Sequence, residues 1–190
     1  MRKVIAAINM TLDGFCDHTV FLPDEEIHQH YAELLRDADA ILYGRVTYQL
    51  MQFWQTLVNN PSVEKSMDDF AVAIDKIPKI VFSHTLKDTD PKAIGWDSAR
   101  LSKQTVEEEV LELKQSRNGG SKDIFVGSRS LIIQLMKLNL IDEYQLCVHP
   151  VIAGSGSPLF ENINDRTILK LIKTKSFSGG AVVLYYEPTN

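Results

Sequence analysis

The sequence predicts a three-layer α/β domain with a mixed, mostly parallel central sheet and antiparallel C-terminal strands. Three observations carry this expectation. Short apolar runs at residues 4–10, 40–43, 79–82 and 124–126 have the length of strands buried on both faces, as parallel strands are. Stretches with apolar residues at helical spacing stand between them. The last part of the chain switches to strand-like segments, two of them joined at Ser178-Gly-Gly180, a hairpin signal.

Bulk properties narrow the class. With 190 residues, 44% of them hydrophobic, the chain suffices for one domain over residues 1–190 with a substantial core. No internal repeat, low-complexity tract or linker divides it. The formal charge of −5 and pI near 5.5 argue against nucleic acid or an anionic membrane as partner, while leaving room for a local basic pocket. Cys16 and Cys147 share no metal-type spacing; reduced thiols are the default reading and a disulfide the alternative. Neither a signal-peptide pattern nor an apolar run of membrane length is present, so a soluble, cytoplasmic protein is expected.

In chain order, residues 4–10 form the first strand, and Thr11-Leu-Asp-Gly14 turns out of it because Gly14 tolerates positive φ. After a loop through Phe15, Cys16 and Asp17, Pro23-Asp-Glu-Glu starts a helix, its acids complementing the dipole. That helix runs to residue 37 with Ile27, Tyr31, Leu34 and Leu35 inward. Residues 40–43 form the second strand, from which Gly44-Arg-Val-Thr47 opens a helix through Tyr48, Met51 and Trp54. Ser62 is placed to cap a helix over residues 63–74. The third strand, residues 79–82, runs into Ser83, His84 and Thr85. A loop over residues 86–93 and a short strand within 94–101 precede a helix over 105–116, with Val106, Val110, Leu111 and Leu113 inward and Asn118-Gly-Gly120 as its stop. The strand at 124–126 passes through Gly127 into a helix carrying Leu131, Ile132, Leu135, Met136 and Leu138. Residues 141–149 then alternate, and the glycine-rich segment 150–158 leads to the final pair of strands.

Two of the strand–helix junctions carry chemistry. Gly44-Arg45 and Gly127-Ser128-Arg129 each place a glycine and then an arginine at a helix start. A helix N-terminus presents unpaired amides and the positive end of the dipole, and a guanidinium offers a planar fork to phosphate oxygens. One such corner serves equally well as an ordinary capped turn. Two of them, each beyond the carboxyl end of a strand, suit the two ends of a dinucleotide.

Four motifs occur in order: Asn9-Met-Thr-Leu-Asp-Gly-Phe15, Tyr43-Gly-Arg-Val-Thr-Tyr48, Val126-Gly-Ser-Arg-Ser-Leu131, and Leu140-Ile-Asp-Glu-Tyr144 through His149-Pro-Val-Ile-Ala-Gly-Ser-Gly156. Together they resemble the dihydrofolate reductase-like family that contains the C-terminal reductase domain of the bacterial riboflavin-synthesis deaminase/reductase. The resemblance spans nearly the whole chain. It implies a dihydrofolate reductase-like fold, NADPH as cofactor and a homodimer. By that resemblance Ala7 lends its backbone to the nicotinamide carboxamide, and Gly44, Arg45 and Thr47 start the helix that binds cofactor phosphates. Ser83, His84 and Thr85 fall where the 2′-phosphate is met, and Gly127, Ser128, Arg129, Ser130 and Leu131 form the second phosphate turn. Three departures stand out. Ser128 replaces the second of two successive glycines, Phe15 stands where the riboflavin-pathway enzymes have lysine, and residues 47–51 lack their Thr-Val-x-x-Asp-Asn-Pro segment. The last two remove groups that serve a phosphoribosyl substrate.

On the substrate side, the acids Asp13, Glu25 and Glu26 are in range, and Asp13 and Glu25 are the candidate proton donors, Glu25 by its offset from Leu22-Pro23, which the resemblance assigns to a pterin-facing acid. The plainer alternatives are a turn aspartate and a dipole partner at a helix start. Phe15, Tyr48 and Trp54 are candidate walls for a flat ring, with core packing as the alternative. No metal site is expected, since His28 and His30 diverge by about 200° on a helix. Residues 141–151 and the following glycine-rich loop are the expected dimer contact. The expected function is an NADPH-dependent reductase of a small, flat, heterocyclic substrate. The alternatives are 5-amino-6-(5-phosphoribosylamino)uracil reduction and a non-catalytic dimeric ligand-binding module.

Overall fold

The computed structural model describes residues 2–21, 23–86, 95–116, 122–163 and 166–189. Eight strands are found among them: β1 (Val4–Thr11), β2 (Ala38–Gly44), β3 (Lys79–Phe82), β4 (Ala99–Leu101), β5 (Asp123–Val126), β6 (Glu143–His149), β7 (Leu169–Ser176) and β8 (Val182–Pro188). They form one sheet in the order β4-β3-β2-β5-β1-β6-β8-β7, parallel at every pairing except the two that β8 makes with β6 and β7. The expected mixed, mostly parallel sheet is therefore the fold.

The apolar runs are continuous because alternate residues feed two cores. Val4, Ala6, Leu42, Ile124 and Val126 pack under α4 (Val106–Gln115) and α5 (Arg129–Lys137). Ile5, Ile41, Tyr43, Val81 and Phe125 pack under α1 (Glu25–Arg36), α2 (Arg45–Asn59) and α3 (Lys65–Lys76). Fully buried side chains such as Leu42, Ile124, Ile132 and Leu135 each stabilise the fold by about 1.5–3 kcal/mol.

Local chemistry moved several boundaries. Helix α3 starts after Glu64, not Ser62, because Ser62 Oγ closes a turn by accepting from Glu64 N–H (3.0 Å) and Asp68 reaches back to Ser62 N–H (2.8 Å). Helix α4 begins with a capping box between Thr105 and Glu108. On that helix Leu111 is 39% exposed instead of inward, while Glu109 is buried, paired with Arg100 and accepting from Ser102 Oγ (2.6 Å). Lys79 is also buried, yet it donates to Asp75 O, Ile77 O and Ser98 Oγ and lies 4.0 Å from the Trp96 ring. His30 is buried beside Phe177. The expected stop at 118–120 and most of the 86–93 loop fall outside the described residues.

The expected dimer contact through residues 141–151 is not available as strand-edge pairing. Strand β6 is bonded on both edges, to β1 and to β8, and offers no edge to a second chain. The sheet ends at β4 on one side and at β7 on the other, and the residues of β7 lie open along nearly its whole length.

Candidate active site

The parallel strands β1, β2, β3, β5 and β6 end on one side of the sheet, so the turns after them gather there. An opening lies beside the central strand. The β1–β5 register ends at Ala6↔Val126, whereas the β1–β6 register continues to Thr11↔His149. Lys3 O accepts from Ile124 N–H (2.9 Å), so Lys3, Ile5 and Ala7 all turn their peptide groups towards β5. Ala7 is the first of these beyond the last register pair. Residues 7–10 are only partly buried although β1 is central, because the sheet parts beside them.

The two glycine corners meet next to this opening. Strands β2 and β5 are neighbours, with Leu42↔Val126 in register, and Ser128 Oγ accepts from Gly44 N–H at 2.8 Å. A Cβ on Gly127 would stand 2.9 Å from Tyr43 Cε1, and one on Gly44 would stand 3.3 Å from Ser130 Oγ, so side chains at either position would crowd the junction. The serine in place of a second glycine thus joins the corners instead of capping its own helix.

That arrangement leaves two helix starts electrostatically open. Neither α2 nor α5 has a side-chain cap or an acid in its first turn, whereas α1 and α4 have both. Their leading amides therefore present positive charge with no internal partner. Arg45 is exposed, its guanidinium donating to Gln49 Oε1 one turn on (3.0 Å), and Thr47 is half-buried beside it. Ser130 is exposed, while the Leu131 side chain is core, so only its backbone belongs to the corner. Ser83 closes its own turn by accepting from Thr85 N–H (3.1 Å) and Leu86 N–H (3.0 Å), leaving His84 and Thr85 exposed after β3. Arg129 departs from expectation. Its Nε donates to Pro158 O (2.5 Å) and its Nη2 pairs with Glu161 Oε1 (2.5 Å), so its fork is engaged by the loop after β6.

Both expected proton donors are misplaced. The Asp13 carboxylate accepts from Thr11 Oγ1 (2.6 Å), Gly154 N–H (2.7 Å) and Ala153 N–H (3.1 Å). The Thr11 hydroxyl, with the two backbone amides, favours the ionised form and holds its pKa down at about 2, so it has no proton to give near neutrality. Asp13 instead pins the glycine-rich loop, and Asp17 does the same through Ser157 N–H (2.6 Å). Glu25 sits on the wrong side of α1. Ile27 is the sheet-facing residue there, and two positions on a helix diverge by about 200°. Glu25 lines an outer hollow of about 480 Å³ with Glu26, Gln29, Lys65 and Lys175. Leu22, which set its offset, is outside the described residues.

The aromatic walls are also reassigned. Tyr48 is wholly buried in the α2-side core, 6.3 Å from the Trp96 ring, and Trp54 packs against Phe70 (4.6 Å) and His28 (5.5 Å) between helices. Tyr48 is a core residue, and Trp54 packs, half-buried, against the same core. Phe15 is half-buried where the β1 loop and residues 157–159 are zipped together, its N–H donating to Thr11 Oγ1 (2.9 Å).

Sequence reasoning missed a polar cluster on the α1 face of the sheet. Asn9 Oδ1 accepts from Tyr31 OH (3.1 Å) and meets His149 Nε2 (2.9 Å), with Cys147 Sγ 3.8 Å from that nitrogen and the Phe21 ring 4.7 Å from the imidazole. Burial lowers the His149 pKa and lifts that of Tyr31, so both stay neutral near pH 7. The available signal was Asn9 itself, a polar residue inside an otherwise apolar strand. Among the described residues no group of three or more His, Cys, Asp or Glu side chains could hold a metal, and no helix is long and apolar enough to cross a membrane.

Comparison with known proteins agrees with this architecture. The RibD C-terminal domain family matches residues 2–185. The uncharacterized protein YyaP of Bacillus subtilis is 34% identical, over 98% of this chain and 95% of its own. Among solved structures, a candidate riboflavin biosynthesis protein from Shewanella sp. PV-4 superposes with a TM-score of 0.72 at 19% identity, covering 100% of both chains. A pyrimidine reductase-like protein from Corynebacterium diphtheriae superposes with a TM-score of 0.69 at 16% identity, covering 100% of this chain and 92% of that one. At those identities the two structures establish the shared fold.

Proposed function

The chain belongs to the RibD C-terminal domain family of reductases, and from that premise we propose that it is an NADPH-dependent enzyme delivering hydride to a small, flat, heterocyclic substrate. The observation that carries the cofactor is the Gly44–Ser128 hydrogen bond, which brings two uncapped, acid-free helix starts together beside the opening in the sheet. Those starts would fit a pyrophosphate, with free amides and two helix dipoles meeting at the Gly44–Ser128 bond, and the exposed Arg45 fork, now on Gln49, would turn to join them. The Ala7 peptide, turned towards the end of β5, would orient the carboxamide, and the exposed His84 and Thr85 would face the 2′-phosphate. Bound there, NADPH supplies the hydride, so the protein's task is positioning and exclusion of water. The clasp of Asp13 and Asp17 on residues 153–157 holds the loop that borders the cleft. In this reading Arg129 is a tether for that loop through Pro158 and Glu161, and Arg45 is the arginine that meets phosphate.

The family match also favours a second substrate, 5-amino-6-(5-phosphoribosylamino)uracil, against which Phe15 stands in place of a lysine. Failure to rescue a riboflavin auxotroph lacking its pyrimidine reductase is the expected result, and rescue would establish that substrate instead. The open β7 edge, with Leu171 49% and Ile172 46% exposed, supports a homodimer through that strand, which a monomer in sedimentation would refute. Calorimetric titration with NADPH tests the main reading. Binding is expected, weakened about tenfold or more by Arg45→Ala with an equal loss for NADH, because both cofactors carry the pyrophosphate. No binding at millimolar NADPH would reject it.

A further inference from the structure

We propose that Asn9 is a substrate-binding residue whose carboxamide, locked by Tyr31 and His149, donates to a ring carbonyl of the heterocycle; this rests on the reductase reading above. Asn9 lies two residues beyond Ala7 on the same face of β1, so it borders the opening where the hydride acceptor would stack. Its register partner is Cys147, and Ala7 and Thr11 pair with Gln145 and His149, which puts the cluster on the face under α1.

The carboxamide has one side that is fully used and one side that is open. Two donors converge on Oδ1: Tyr31 OH at 3.1 Å and His149 Nε2 at 2.9 Å. A carbonyl oxygen has two lone pairs, and both are taken. With His149 4% exposed and packed against Phe21, and Tyr31 packed against the core beneath α1, neither donor is free to turn away. The Asn9 Nδ2 group makes no hydrogen bond among the described residues, and it is not sealed in the interior, since Asn9 is only half-buried. With His149 as its Nε2–H tautomer, that frame holds Oδ1 and leaves the two Nδ2 N–H donors of Asn9 free on its half-buried side.

A pair of amide donors beside a flat cleft selects an acceptor at the ring edge. Carbonyl-bearing rings such as pyrimidinones and quinones provide one, and purely aminated rings do not. Desolvating Nδ2 under a ligand that offers no acceptor would leave a buried polar group unpaired, so the discrimination is against rings lacking the carbonyl.

The substitution that separates recognition from scaffolding is Asn9→Asp. Aspartate keeps an oxygen for Tyr31 and His149 but replaces the outward donors by a second acceptor. The probes are 5,6-diaminouracil, which carries ring carbonyls, and 2,4,5,6-tetraaminopyrimidine, which carries none, each titrated by calorimetry into protein saturated with NADP⁺. Wild type is expected to bind the uracil at least tenfold more tightly than the tetraamine. Asn9→Asp should abolish that preference by weakening the uracil at least tenfold, while the NADPH dissociation constant stays within twofold and the Tm within a few degrees. Equal uracil binding by wild type and Asn9→Asp, or no uracil binding by a wild type that does bind NADPH, would overturn the assignment of Asn9 and leave the reductase reading standing. Failure of wild type to bind NADPH at all would remove both.

Discussion

Replacing Ser128 by alanine removes one hydroxyl and, with it, the bond between the two glycine corners. Ser128 is 1% exposed, so Gly44 N–H is left without its partner at a junction that the serine had sealed. An orphaned buried amide costs about 1–3 kcal/mol, while the small void left by one oxygen adds little. In a chain of this size each kcal/mol lowers the melting temperature by about 2–4 °C, so Ser128→Ala should melt about 2–12 °C below wild type. The same change frees the start of α2 to move relative to α5, and their joint hold on phosphate should weaken. A loss of about 1–2 kcal/mol there is a 5–30-fold rise in the NADPH dissociation constant. Thermal unfolding and calorimetric titration on one preparation measure both quantities. A variant that melts within half a degree of wild type and binds NADPH within twofold would show that the bond is incidental and that the corners do not act together.

Gly127→Ala should be harsher on stability, because its Cβ would stand 2.9 Å from the buried Tyr43 ring; overpacking of about 1–3 kcal/mol is expected in urea unfolding, and an unchanged midpoint would contradict the close approach. Asp13→Asn should release residues 153–154 and raise their susceptibility to limited proteolysis, with catalysis impaired through loop position and not through loss of a proton donor; a pH–rate profile that loses an acidic limb would restore Asp13 as an acid. His30 is held at a pKa of about 4, chiefly by burial and secondarily by Lys175, below its ordinary 6.5. The unfolded chain therefore takes up this proton first, and stability should fall as pH drops from 6.5 towards 4, by about 2 kcal/mol relative to His30→Gln. Parallel pH dependences for the two proteins would refute it.

Asp13 and Glu25 show where reading residue types along the chain runs out. Both are acids near the expected pocket, and the sequence contains no statement of what their oxygens touch. Asp13 is occupied by amides some 140 positions away, and Glu25 is carried to the outer side of α1 by helical phase relative to Ile27. The phase was readable in principle, since Ile27 was already placed inward and Glu25 lies two residues before it. The offset from Leu22-Pro23 points to the cleft, and that angle points away from it. Tyr48 and Trp54 fail differently, because an aromatic side chain on a helix is written the same way whether it faces a core or a ligand.

The amino-acid sequence by itself determined the elements and their class. Apolar runs of strand length, helical periodicity, the Gly-Gly hairpin and the capping box at Thr105 are all contacts between residues close in the chain, and their energetics are local. Tertiary structure alone decided which strands are neighbours, and the site follows from that. Ser128 meets Gly44 across 84 positions because β5 inserts between β2 and β1, and Asn9 meets His149 across 140 because β6 lies on the other side of β1. Strand order is set by how two faces of one sheet are jointly buried, a sum over the whole core that no window of the sequence contains.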